Sequence, residues 1–267
     1  MTMIHLSIDL SLYLILIYII LDSANILLNI GQYKKGQILH LYAIDTVFVQ
    51  LKFLNQKAVV FLIGHRLYRA VLWIRLLLSV CIVAGLMPLV AVGAILLVQI
   101  FIHIRNEALL NLADKFAINI LLGLTFIYLF PDSLVIRNAS ILFIALLTVI
   151  GYFFTAFFKL QGETWKGGTA LEQILSTDIY GNEWYFKFLI RYRVISRLLN
   201  YSVIGLQLVA PLALVSSKFA LFYCIAGLVF HLSISLIMNL NNFFWVFVSA
   251  YPCLYFASLL IENYLHK

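Results

Sequence analysis

Charge is what this sequence lacks most. Only 11% of its 267 residues are Asp, Glu, Lys or Arg, against about 25% in an ordinary soluble domain. Apolar residues make up 64% of the chain. One buried core cannot hold that excess, so it must face lipid. Polar alternation is missing too. The apolar runs are long and unbroken, which excludes a transmembrane barrel, whose strands alternate at every second residue. Cysteine is scarce. Cys81, Cys224 and Cys253 lie inside apolar runs without metal-ligand spacing; they read as small hydrophobes, not as a disulfide framework or a metal site. Repeats, low-complexity segments and linkers are absent, and so are a catalytic triad, a zinc motif and a Rossmann fingerprint. The first apolar segment has no basic leader and no Ala-x-Ala site, and it carries Asp22 and Asn25. It reads as a retained span, not a signal peptide.

What remains is an all-α, polytopic transmembrane bundle, because only helices satisfy their own backbone in lipid once barrels are excluded. Windows of ~20 apolar residues give about eight spans in a single domain over residues 1–267. They are Leu10–Ile30, Leu67–Leu86, Val90–Ile104, Phe116–Phe130, Ala139–Phe158, Leu199–Val215, Phe219–Leu240 and Phe243–Ile261. Two connections carry interfacial helices. One is Ile44–Gly64, interrupted by Asp45, Gln50, Lys52 and Lys57. The other is the second half of Lys159–Leu198, with Trp184, Lys187, Arg191, Arg193 and Arg197. The net charge of +7 fits basic loops against anionic headgroups and gives no reason to expect nucleic acid. With eight spans, Arg137, Lys218 and Lys267 fall on one side and most other basic residues on the opposite side. The positive-inside rule then puts both termini outside.

Several spans carry polar residues at helical spacing. These are Asp22–Asn25–Asn29, Gln99–His103–Asn106, Asn200–Gln207–Pro211 and Cys224–Gly227–His231–Ser235. Residues three and four apart share one helix face, and such faces are expected to meet other helices. Packing accounts for any one of them. Together with Arg75 they point to a shared polar interior. Asp22 is expected to pair with Arg75. His231 has two readings, an interhelical hydrogen bond or a group that takes or donates a proton near neutral pH.

The densest mix of charge, ring and permissive backbone follows the fifth span. It reads Lys159-Leu-Gln-Gly-Glu163-Thr-Trp165-Lys-Gly167-Gly168-Thr-Ala-Leu171. Lys159 is either a snorkelling lysine at a helix end or a lysine in an apolar wall that works as base or nucleophile. Glu163, Trp165 and the two glycines favour a structured turn. They lack phosphate-loop context, so no nucleotide site is assigned.

This segment resembles the Lys-Leu-x-x-x-x-Trp-x-x-Gly-x-Ala-Leu segment of HTTM proteins, the membrane superfamily that includes vitamin K-dependent γ-carboxylases. Arg105-Asn106 through Asp114 resembles the family's Arg-Asn crossing followed by aspartate. His231-Leu-Ser-Ile-Ser-Leu-Ile-Met238, then Phe243, resembles its His-Leu-x-Ile-x-Leu-x-Met segment. The resemblance implies that Lys159 is a base used with a reduced quinone of the vitamin K or menaquinol type, with His231 as its partner. Glu163, Trp165, Gly167, Gly168, Gln207, His103 and Asp114 would line the site, and no metal is implied. It also implies that the Lys-Trp turn lies on the extracytoplasmic side, opposite to the charge count. Gln207 stands where the family often has glutamate. No counterpart of the carboxylase's extramembrane substrate domain is seen before Lys267.

Short bacterial forms of this kind resemble the membrane subunit that matures the sporulation-delaying toxin. The expected function is therefore maturation of a small secreted peptide of toxin or bacteriocin type in the plasma membrane, with a partner protein. The alternatives are a non-enzymatic immunity or export component and a small-molecule transporter. The last is weakened by the lack of inverted repeats.

Overall fold

The computed structural model describes residues 2–34, 64–106 and 112–265. Lys35, His40, residues 44–63 of the expected interfacial segment and residues 107–111 of the expected crossing lie outside the described residues. Among the described residues every regular element is a helix. In chain order these are α1 (Thr2–Leu28), α2 (His65–Val83), α3 (Val92–Asn106), α4 (Leu112–Leu129), α5 (Leu134–Gln161), α6 (Glu163–Lys166), α7 (Ala170–Leu175), α8 (Glu183–Arg191), α9 (Arg193–Leu208), α10 (Ser217–Met238) and α11 (Asn241–Leu265).

Six of them are long and apolar enough to cross a membrane: α1, α3 with its preceding turn, α4, α5, α10 and α11. At ~1.5 Å per residue, the 28 residues of α5 exceed a hydrocarbon core of about 30 Å. The chain is thus a multi-pass membrane protein in which apolar helix faces meet lipid. Helix α10 shows the division. It buries Ala220, Tyr223, Gly227 and His231 and exposes Leu221, Phe222, Ile225, Val229, Leu232 and Leu236. On a soluble protein so large an apolar face would be an anomaly.

Two expected spans form differently. Helix α2 carries Arg66, Arg69 and Arg75 within its 19 residues, too many guanidinium groups for the apolar set. Residues 199–215 do not make one helix. Helix α9 begins earlier, at Arg193, and ends at Leu208; a 3-10 turn, Ala210–Leu214, follows. Pro211 lies in the first turn of that segment, where its missing N–H costs nothing. The second half of the preceding connection holds α8 and the start of α9, separated at Tyr192 with φ −114 and ψ 66.

Local chemistry sets the other ends. Ser133 Oγ accepts from Ile136 N at 3.3 Å and opens α5. Asn182 Oδ1 accepts from Tyr185 N at 3.2 Å and caps α8. After α2, Gly85 takes φ +70 and Leu86 N donates to Cys81 O at 2.8 Å, a six-to-one closure. Asn239 ends α10 at φ 57, one of the few residue types that adopt the left-handed region readily.

The described chain divides into two compact units, residues 12–140 and residues 1–11 with 141–267. In the first, Tyr68, Leu72 and Ile102 form a buried cluster with Ile26, Tyr33, Val71 and Phe101 around it. In the second, α10 packs along α11, and the turn at Ala210–Leu214 packs on both. Without lipid-excluding hydrophobic drive, close van der Waals approach must hold such helices. Gly227 provides it: a Cβ there would collide with the Tyr251 phenol.

Candidate functional site

Lys159 lies in the last turn of α5. Its Nζ donates to Gln207 Oε1 at 2.9 Å and sits 4.5 Å from the centre of the Trp165 ring. Gly162 makes this possible. It stops α5 in extended conformation, and the single turn of α6 carries Trp165 back over the ammonium. A cation over an indole contributes from about 0.5 kcal/mol when exposed to 2 when desolvated. Lys159 is half-buried and Gln207 buried, whereas Glu163 points out and is exposed.

The turn beyond Trp165 is fixed by α9. Asn200 is fully buried. Its Nδ2 donates to Gly168 O at 3.0 Å and its Oδ1 accepts from Leu171 N at 3.1 Å. Tyr201 OH donates to Lys166 O at 2.8 Å. Gly168 adopts φ +69, and a Cβ there would lie 2.6 Å from Arg197 Cγ. Both the backbone conformation and the closeness of α9 therefore require glycine. Gly167 is exposed.

His231 lies on the inner face of α10. Its Nε2 is 2.5 Å from Tyr152 OH, and Tyr152 OH is 2.8 Å from Tyr251 OH. Phe247 stacks on the imidazole with centroids 4.6 Å apart and planes 7° from parallel. Tyr223 packs edge-on against Tyr152. Nδ1 of His231 is buried and has no hydrogen-bond partner among the described residues. Tyr152 and Lys159 are both on α5, seven residues apart, and so about 10 Å apart along one helix face.

The structure thus brings Lys159, Trp165, Gln207 and Gly168 together around one turn and sets His231 in a tyrosine cluster of the same unit. No protein-family model, curated protein or solved structure matches the chain. What the site does must be argued from its own groups. An amine, a primary amide, an imidazole and phenols can hold, orient and pass protons.

Asp22, Arg75, His103 and Asp114 belong to the other unit. Arg75 is fully buried and each of its three guanidinium nitrogens has a partner: Nη2 donates to Asp22 Oδ2 at 2.6 Å, Nη1 to Gln99 Oε1 at 2.6 Å and Nε to Ser23 Oγ at 2.7 Å. That pins α1, α2 and α3 together, which is structural work. Asp114 accepts from Tyr18 OH at 2.6 Å, and His103 is half-buried in α3. Among the described residues Asn25 and Asn29 do not make the expected contacts with other helices. They are exposed, and Asn29 Nδ2 donates to Asn25 O at 2.9 Å, within their own helix end.

The residues missed in the sequence are Tyr152, Tyr251 and Asn200 as site members. Tyrosine inside an apolar run carries no signal by itself. The seven-residue spacing from Lys159 was the available clue for Tyr152. Asn200 stood in a polar stripe, but its partners come from a turn about thirty residues earlier, beyond any local pattern.

Proposed function

We propose that this chain matures or modifies a small secreted peptide of toxin or bacteriocin type, through the Lys159–His231 site, in the bacterial plasma membrane. The resemblance of three segments to HTTM proteins supplies the chemistry class, a carboxylase-like site used with a reduced quinone. In this reading α2 and residues 199–215 complete about eight membrane segments, the Lys159 turn faces outside, and a partner protein assists.

The observation that carries the proposal is the setting of Lys159. A snorkelling lysine would extend its ammonium into water. Lys159 instead folds under an indole and onto a buried amide. Gln207 orients Nζ by accepting from it, and Trp165 excludes water from one side.

The residues fit a reduced quinone. His231 Nδ1 is a buried polar atom with no partner among the described residues, bordered by Phe247 and Tyr152. His231 and the aromatic rings would hold such a group, which supplies reducing equivalents when bound. Lys159 Nζ would receive and release a proton, with its position set by Gln207.

The test compares secreted peptides from cells carrying the wild type and Lys159→Ala, by intact mass. The variant should remain in the membrane and leave the peptide at its unmodified mass. An unchanged peptide profile would remove the catalytic role.

A further inference from the structure

His231 and its two phenols can be read further by counting protons. The neutral imidazole has one N–H, and Tyr152 and Tyr251 have one O–H each. Two hydrogen bonds join the three groups. If Tyr251 donates to Tyr152 and Tyr152 donates to Nε2, both hydroxyl protons are used. The imidazole proton is then on Nδ1. If Nε2 carries the proton, the direction reverses. Tyr152 then donates to Tyr251, the Tyr251 proton has no acceptor among the described residues, and the lone pair of Nδ1 is unmatched as well. The first arrangement leaves one polar function unmet; the second leaves two. Buried polar groups are almost always matched, so the first is favoured.

We infer that Tyr251 and Tyr152 lock His231 as its Nδ1–H tautomer, making Nδ1 a buried hydrogen-bond donor for the carbonyl oxygen of a bound ligand. His231 is about 2% exposed, so water has little access to that donor. Phe247, stacked flat on the ring, fixes the plane in which the N–H points. Gly227 admits the Tyr251 phenol against α10 and so fixes the start of the relay. A donor held this way recognises a neutral oxygen acceptor; a cation has nothing to bind. The inference deepens the proposed site and rests on His231 being part of it. It assigns His231 to donation, not to taking a proton. The carbonyl has two sources, the oxidised form of a membrane-soluble quinone or the substrate peptide itself.

The test is nuclear magnetic resonance on the full chain in lipid nanodiscs, with isotope-labelled histidine. His231→Gln identifies the signal among the six histidines. The wild type should show a proton coupled directly to Nδ1 and none on Nε2. In Tyr152→Phe that preference should be lost, with both tautomers visible. Tyr251→Phe, which keeps the ring in place, should weaken it in the same direction. A proton on Nε2 in the wild type, or an unchanged Nδ1–H signal in Tyr152→Phe, overturns the relay. Menadione and N-acetylglycine methylamide are then added separately. A shift of the Nδ1 proton with menadione alone identifies a quinone-type carbonyl, and a shift with the amide alone a peptide carbonyl. No shift with either overturns the donor role. The tautomer is read without peptide maturation, so its failure and that of the proposed function are separate results.

Discussion

Removing Asp22 should destabilise the protein more than its position near a helix end suggests. Arg75 has no exposed side-chain surface, and Asp22 is 14% exposed. In Asp22→Leu the guanidinium keeps Gln99 and Ser23 as partners but loses the carboxylate of Asp22. An uncompensated buried charge costs about 3–5 kcal/mol. At about 1.4 kcal/mol per tenfold, that shifts the folding equilibrium by roughly two to four powers of ten. Replacing both members behaves differently. Asp22→Leu with Arg75→Met removes the charge along with its partner, and the remaining cost is Gln99 left without its donor, about 1–3 kcal/mol. The assay is SDS titration of the purified protein in micelles, with helix loss followed by circular dichroism. Asp22→Leu should unfold at clearly lower SDS than the double variant. If Asp22→Leu matches the wild type, or if the double variant is the worst of the set, the ion pair does not hold α1, α2 and α3 together.

Three further outcomes follow from the contacts. Asn200→Ala should expose Leu171 N and Gly168 O, costing about 1–3 kcal/mol and speeding amide exchange at Leu171 while that in α11 stays slow. Gly227→Ala should force the Tyr251 phenol away from α10 at about 1–3 kcal/mol, read as a lower midpoint in the same SDS titration. Lys187→Ala should leave stability unchanged, because the Lys187–Glu183 pair is exposed on both sides. Lys187 does hold the Glu183 carboxyl below its ordinary range, by hydrogen bond and charge. Without it the carboxyl should titrate at higher pH, as followed by its carbon resonance.

Much of the helical plan was legible because lipid imposes a single simple demand, a long apolar run. Helices α1, α3, α4, α5, α10 and α11 follow from that. Residues 199–215 did not, because a hydropathy window averages over Pro211 and stops short of Arg193 and Arg197, which α9 includes. Polar periodicity worked where the partner was another helix, as with Gln99 and Arg75. It misled at Asn25 and Asn29, whose side chains serve the end of their own helix. The candidate site was legible where its parts are close in sequence. Lys159 and Trp165 are joined by one turn, and Gly162 announces the turn. Gln207, Asn200 and Tyr251 reach the site from later helices, and their roles depend on packing that no spacing encodes. Tyr152 hid in plain apolar context, two helical turns before Lys159.

The central claim is that Lys159 and its surroundings act on a secreted peptide. The most direct measurement is the intact mass of peptides secreted by cells carrying the wild type, Lys159→Ala, Gln207→Leu or Lys187→Ala, at matched membrane levels of each protein. The account predicts one peptide whose modified mass appears with the wild type and Lys187→Ala, diminishes in Gln207→Leu and disappears in Lys159→Ala. Identical peptide masses from all four would contradict it.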